Sequence, residues 1–137
     1  MKIPLKLEYA CRVLIQLRPT YTTGEIRRVE NLADREKISP NYLVQILNEL
    51  RNAGLVESRR GKNGGYVLAQ DPEAITLDHI VRAVEGPFLQ LNGSTDGESG
   101  ETTAKLWKTV ASSIEDELKK HSLASMGDPG EAGMWMI

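Results

Sequence analysis

The 137-residue sequence predicts a mainly α-helical fold that carries one small β-hairpin. Three observations carry this. Apolar residues recur at helical spacing through most of the chain. Around residues 55–69 the period changes to short β-prone runs. Aromatic residues make up only 5% of the chain, which suits a helix-rich core better than a β-sandwich. A chain of this length is one domain, or one domain with an appended element, and is long enough to bury a core.

The stretch "KLEYACRVLIQL" puts Leu7, Ala10, Leu14 and Leu17 on one helical face, with Val13 widening the stripe. Pro19 and Gly24 in "RPTYTTGE" break that pattern. "RRVENLADREKI" predicts a short second helix that buries Val29, Leu32, Ala33 and Ile38. "SPNYLVQILNELRNAGL" is the clearest helix. Ser39 can cap its exposed amides, and Pro40 suits the first helical position because its missing N–H costs nothing there. Leu43, Ile46, Leu47 and Leu50 form the buried stripe, and Gly54 supplies a left-handed stop. The short gap between the second and third helices fits a helix-turn-helix corner.

After Gly54, "LVESR" and "YVLA" read as two short strands joined by "RGKNGG", in which Asn63-Gly64 is a hairpin-turn signal. Three helices followed by a hairpin make a winged helix-turn-helix. "TLDHIVRAVEG" then predicts a helix capped by Thr76, with Leu77, Ile80, Val81 and Val84 inward. Residues 87–101 are rich in Gly, Ser and acid and read as a long loop. In the long helix that follows, Trp107, Ala111, Ile114 and Leu118 step by 4, 3 and 4, a coiled-coil-like seam with Leu106 and Val110 beside it. The organisation is therefore a winged helix-turn-helix over 1–86, a loop over 87–101, a C-terminal dimerisation helix over 102–126 and a tail over 127–137. Leu106, Trp107, Val110, Ile114 and Leu118 are the expected dimer interface.

Composition removes several function classes. No apolar run approaches a membrane span and the first residues lack a signal-peptide layout, so a cytoplasmic protein is expected. The one cysteine, Cys11, rules out an internal disulfide and a multi-cysteine metal cage. Its helical neighbours favour a half-buried small hydrophobe over a redox sensor. His79 and His121 do not stand at ligand spacing, so no metal motif is present. No nucleophile elbow, Walker loop or dinucleotide fingerprint occurs. "GKNGG" lacks the phosphate-cradle pattern and precedes a strand rather than a helix. The chain does not read as an enzyme.

DNA binding fits better. Residues 1–70 hold 12 Lys/Arg against 7 Asp/Glu and residues 71–137 hold 5 against 12, so a half of net charge +5 precedes one of −7. A basic surface supplies phosphate affinity, and a recognition helix reads base edges with its N-terminal residues. Those residues are Ser39, Asn41, Tyr42 and Gln45; Asn41 and Gln45 can bond adenine bidentately, and Tyr42 could alternatively be a partly buried helix residue. At the wing, Arg59, Arg60 and Lys62 stand where phosphates would pass, and Gly64 and Gly65 allow close approach to the duplex. Arg28 is a further candidate contact. A winged-helix module that meets protein instead of DNA is the alternative, since this fold does not fix function.

The tail "GDPGEAGMWMI" is an irregular arm, because Gly127, Pro129, Gly130 and Gly133 suit neither helix nor strand. It ends in the apolar cluster Met134, Trp135, Met136 and Ile137, which either folds onto the protein's own surface or meets a partner.

From the third predicted helix through "GGYVL" to "VRAVEG", the chain resembles the IscR/NsrR/CymR group of bacterial transcriptional regulators, a likeness that covers residues 2–86 and, more loosely, the last helix. The resemblance implies a homodimer that binds a palindromic operator and represses. It puts Ser39, Asn41, Tyr42 and Gln45 at the major groove, Arg60 and Gly64-Gly65 at the wing tip, and Lys6 at a basic N-terminal position. Glu8 departs from the group's usual basic or small residue. Val44 stands where cluster-binding members read bases with an acid, so their target does not transfer. Those members hold an iron–sulfur cluster on three loop cysteines, whereas residues 86–104 contain none. The chain is most similar to the cluster-less CymR-type branch, which represses cysteine and sulfur-metabolism genes and is controlled through O-acetylserine thiol-lyase. That likeness implies docking of residues 134–137 into this enzyme.

Overall fold

A computed structural model describes residues 1–61 and 64–127. Helix α1 (Leu5–Leu17) buries the predicted stripe of Leu7, Ala10, Val13, Leu14 and Leu17. The Pro-Gly break after it holds a one-turn helix, α2 (Thr20–Thr23), which is too short for any apolar period to announce. Gly24 ends it at φ +69°. Thr20 is buried, and its hydroxyl donates to the Leu17 carbonyl at 2.6 Å and accepts the Leu68 N–H at 2.8 Å.

Helices α3 (Val29–Glu36) and α4 (Pro40–Asn52) form the helix-turn-helix. Lys37 supports the sharp corner with a left-handed backbone at φ 57°. Ser39 caps α4 by accepting the Tyr42 N–H at 3.3 Å, Pro40 opens the helix, and Gly54 at φ +78° stops the chain just beyond it. Leu43, Ile46, Leu47 and Leu50 are fully buried, each at 0% exposure.

The hairpin pairs β1 (Val56–Arg59) antiparallel to β2 (Gly65–Leu68), with Val56 opposite Leu68 and Arg59 opposite Gly65. The register leaves five residues, 60–64, between the two strands. Among them Gly64 donates its N–H to the Gly61 carbonyl at 2.9 Å. Arg27 adds a third extended segment: its N–H donates to Tyr66 O at 3.0 Å and its carbonyl accepts the Tyr66 N–H at 2.8 Å.

Helix α5 (Leu77–Val84) starts with a reciprocal cap: Thr76 Oγ1 accepts the His79 N–H and His79 Nδ1 accepts the Thr76 N–H. The long helix expected over 102–126 is α6 (Gly100–Lys119). Past Lys119 the chain turns back. The Leu123 N–H donates to the Ile75 carbonyl at 2.7 Å, Thr76 bridges Ser122, and Leu123 is fully buried within a short 3₁₀ turn, Leu123–Ser125.

This return divides the expected seam. Leu118 is 9% exposed and belongs to the chain's own core, and Ile114 packs against that core beside α5. Both side chains pack within the chain itself, because the last turns of α6 lie on the head. Leu106 at 58% and Trp107 at 44% stay exposed, and Val110 is half-buried. The tail residues Met134, Trp135, Met136 and Ile137 lie outside the described residues.

Candidate nucleic-acid interface

Burying one stripe of α4 leaves the opposite ridge outward. Asn41, Val44 and Gln45, spaced i, i+3 and i+4, are all exposed there, at the N-terminal end of the second helix of a helix-turn-helix. The two amides can each pair bidentately with an adenine edge, and the Val44 methyls can meet a thymine methyl. Ser39 stands at the same end, its oxygen engaged by the cap and its hydroxyl proton available to a phosphate.

Tyr42 turns partly inward. Its ring meets Tyr9 edge-on at 5.9 Å and 72°, and both pack against the core. The Arg12 guanidinium lies 5.7 Å from the Tyr9 ring centre and pairs with Glu8 at 2.8 Å. Tyr9 and Arg12 are thus brought beside the recognition helix although the sequence reading passed over them. The only available signal was the position of Tyr9 flanking the apolar stripe of α1. Lys6, expected at the interface, sits 3.2 Å from Glu49 Oε1, so its ammonium first ties α1 to α4.

At the wing, Arg59 pairs with Glu57 on the same strand at 2.7 Å, whereas Arg60 is exposed and makes no ion pair among the described residues. Arg28 is exposed and only loosely paired with Glu30, at 3.9 Å. Lys62 lies outside the described residues. The fold itself demands both wing glycines. A Cβ on Gly65 would run into the Arg27 carbonyl and one on Gly64 into the Arg59 carbonyl, so the hairpin closes only without side chains there. The wing is held through its second strand, β2, by Thr20 at Leu68 and by Arg27 at Tyr66, two contacts from distant sequence.

Cys11 is half-buried, and burial, with the Glu8 charge adding to it, pushes its thiol up to about 11. At neutral pH it is a protonated small hydrophobe. An iron–sulfur cluster does not fit these residues. The sequence has one cysteine, on α1, and no three His, Cys, Asp or Glu among the described residues are grouped to hold a metal ion. Among the described residues no helix is long and apolar enough to cross a membrane.

The sequence model of the Rrf2 family, described as an iron-dependent transcriptional regulator, matches residues 3–129. The chain is 34% identical to the HTH-type transcriptional regulator CymR of Bacillus subtilis, covering all of this chain and 99% of that one. It is also 34% identical to the regulator IscR of Cereibacter sphaeroides, over 83% of this chain and 79% of the relative. Among solved structures it superposes on that of CymR, the global cysteine regulator of B. subtilis, with a TM-score of 0.77 and 32% identity over 92% of this chain and 95% of that one. It superposes on IscR of T. potens with a TM-score of 0.75 and 32% identity, over all of this chain and 92% of that one. The winged helix-turn-helix with a long last helix is the architecture these proteins share.

Proposed function

The chain belongs to the Rrf2 family of winged-helix transcriptional regulators, not to an enzyme family, and on that premise we propose that it is a dimeric repressor of cysteine and sulfur-metabolism genes that works without an iron–sulfur cluster. The observation that carries this is one juxtaposition: full-length similarity to the global cysteine regulator, in a chain whose loop has no cysteine to ligate a cluster.

In this reading two copies join through the exposed end of α6, around Leu106 and Trp107. Their α4 ridges enter successive major grooves of a palindrome about one helical turn apart. Asn41, Val44 and Gln45 read bases. Ser39, Arg28 and Arg60 meet phosphate or the minor groove, where Arg60 responds to groove width. Arg59, Lys62 and the Gly64-Gly65 pair belong to the same wing. Repression follows from occupying promoter DNA. The tail, if it docks into O-acetylserine thiol-lyase, would link occupancy to sulfur supply.

Sequencing the genomic fragments that the purified full chain retains tests this. Inverted half-sites upstream of sulfur and cysteine genes are expected, with affinity falling steeply as salt rises. Fragments without a shared palindrome, or binding indifferent to salt, would instead favour the protein-binding alternative.

A further inference from the structure

We propose that Arg82 is a positioning residue: by bridging α5 to α6 it fixes the direction in which α6 leaves its own subunit, and with it the half-site spacing that the dimer accepts. The inference rests on the dimeric DNA-binding reading above.

Asp78 on α5 is only 5% exposed, an unusual place for a carboxylate. Arg82, one turn later, donates from Nε to Asp78 Oδ2 at 3.1 Å and from Nη2 to Glu115 Oε1 on α6 at 2.7 Å. A guanidinium is a planar fork, so fixing one prong on a buried acid fixes the direction of the other. Backbone bonds from residues 121–123 hold the C-terminal end of α6, but along the helix itself the other contacts are apolar packing by Ile114 and Leu118, which is non-directional and lets the helix tilt or roll about that end. The Arg82 bridge is directional.

The exposed Trp107 lies eight residues from Glu115 along α6, about 12 Å at 1.5 Å per residue. A rotation of about 10° at the joint therefore moves Trp107 by roughly 2 Å. Both subunits contribute such a shift, and neighbouring base pairs are only about 3.4 Å apart. A loose joint would accept operators that a fixed joint refuses. If Arg82 served only to neutralise Asp78, the bond to Glu115 would be dispensable.

The test is selection from a random-sequence duplex pool with the full-length wild type, followed by titration of the enriched site and of the same site with one base pair inserted between its halves. For the wild type the insertion should weaken binding at least tenfold. Glu115→Ala removes the acceptor on α6 and leaves the Asp78–Arg82 pair intact, and Arg82→Lys keeps a cation beside Asp78 without the fork. Both should bind the inserted site within about threefold of the original, with the same half-site sequence and unchanged helical content. If both variants discriminate against the insertion as strongly as the wild type, the proposal is overturned. If the wild type enriches no sequence at all, it is the DNA-binding reading that fails.

Discussion

Helices α4 and α6 are both amphipathic, yet they meet opposite fates. The apolar stripe of α4 is covered entirely by its own chain, which leaves a polar ridge of Asn41, Val44 and Gln45 outward. On α6 only the last turns are covered, at Ile114 and Leu118, and the other end presents Leu106 and Trp107 to solvent. Periodicity reports that a face must be buried but not which molecule buries it. One apolar stripe here is core along its whole length, while the other changes from core to exposed surface partway along a single helix.

Substitutions at the two stripes should separate these roles. Leu47→Ala opens a cavity in the fully buried part and should cost about 2–5 kcal/mol in chemical denaturation, whatever the protein concentration. A loss below about 1 kcal/mol would mean the stripe of α4 is not core. Trp107→Asp acts on the exposed end of α6. It should turn a dimer into a monomer by sedimentation and lower operator affinity on the order of a hundredfold through lost avidity, with helical content retained. A stable dimer of this variant would move the interface elsewhere. Ile114 would be a poor probe of that question, because it packs on the chain's own core and a charge there would disturb the fold first.

Arg60→Ala sharpens the contrast at the wing. One phosphate contact fewer should reduce the salt slope of DNA binding by about one and leave the melting curve unchanged. An unaltered slope would exclude Arg60 from the interface. The smallest effect concerns Cys11. Its folded thiol stands at about 11 against an ordinary 9.0, so at pH 8 alkylation should run about a hundredfold slower than in the unfolded chain. Because the folded value is the higher one, the linked stability is present below pH 9 and lost as pH rises towards 11. Equal labelling rates in native and unfolded protein would contradict the burial of Cys11.

The elements legible in the sequence are those settled by local chemistry. The stripes of α1 and α4, the Ser39-Pro40 start, the Gly54 stop, the Thr76 cap and the two strands all follow from residues near one another. What escaped depends on distant partners. Helix α2 is a single turn, the Arg27 bridge is one residue long, and the end of α6 is set by where Leu123 reaches Ile75. The interface divides in the same way. That Asn41 and Gln45 face outward follows from the stripe opposite them. That Tyr42 leans on Tyr9, Lys6 on Glu49 and Arg59 on Glu57 requires the neighbours.

The return of the chain after α6 bears on how such a regulator can be dissected or recombined. Leu118 and Leu123 fill the same core as α1 and α4, and Ser122 pairs with Thr76 at the entry to α5. A head ended at residue 86 would lack two of its own interior side chains, Leu118 and Leu123. A last helix grafted from a relative would have to bring inner residues matched to Ile75 and Ile80. The outer end, at Leu106 and Trp107, carries no such obligation to the head. Substitutions along that half of α6 are therefore free of the packing that its other half must keep with the interior.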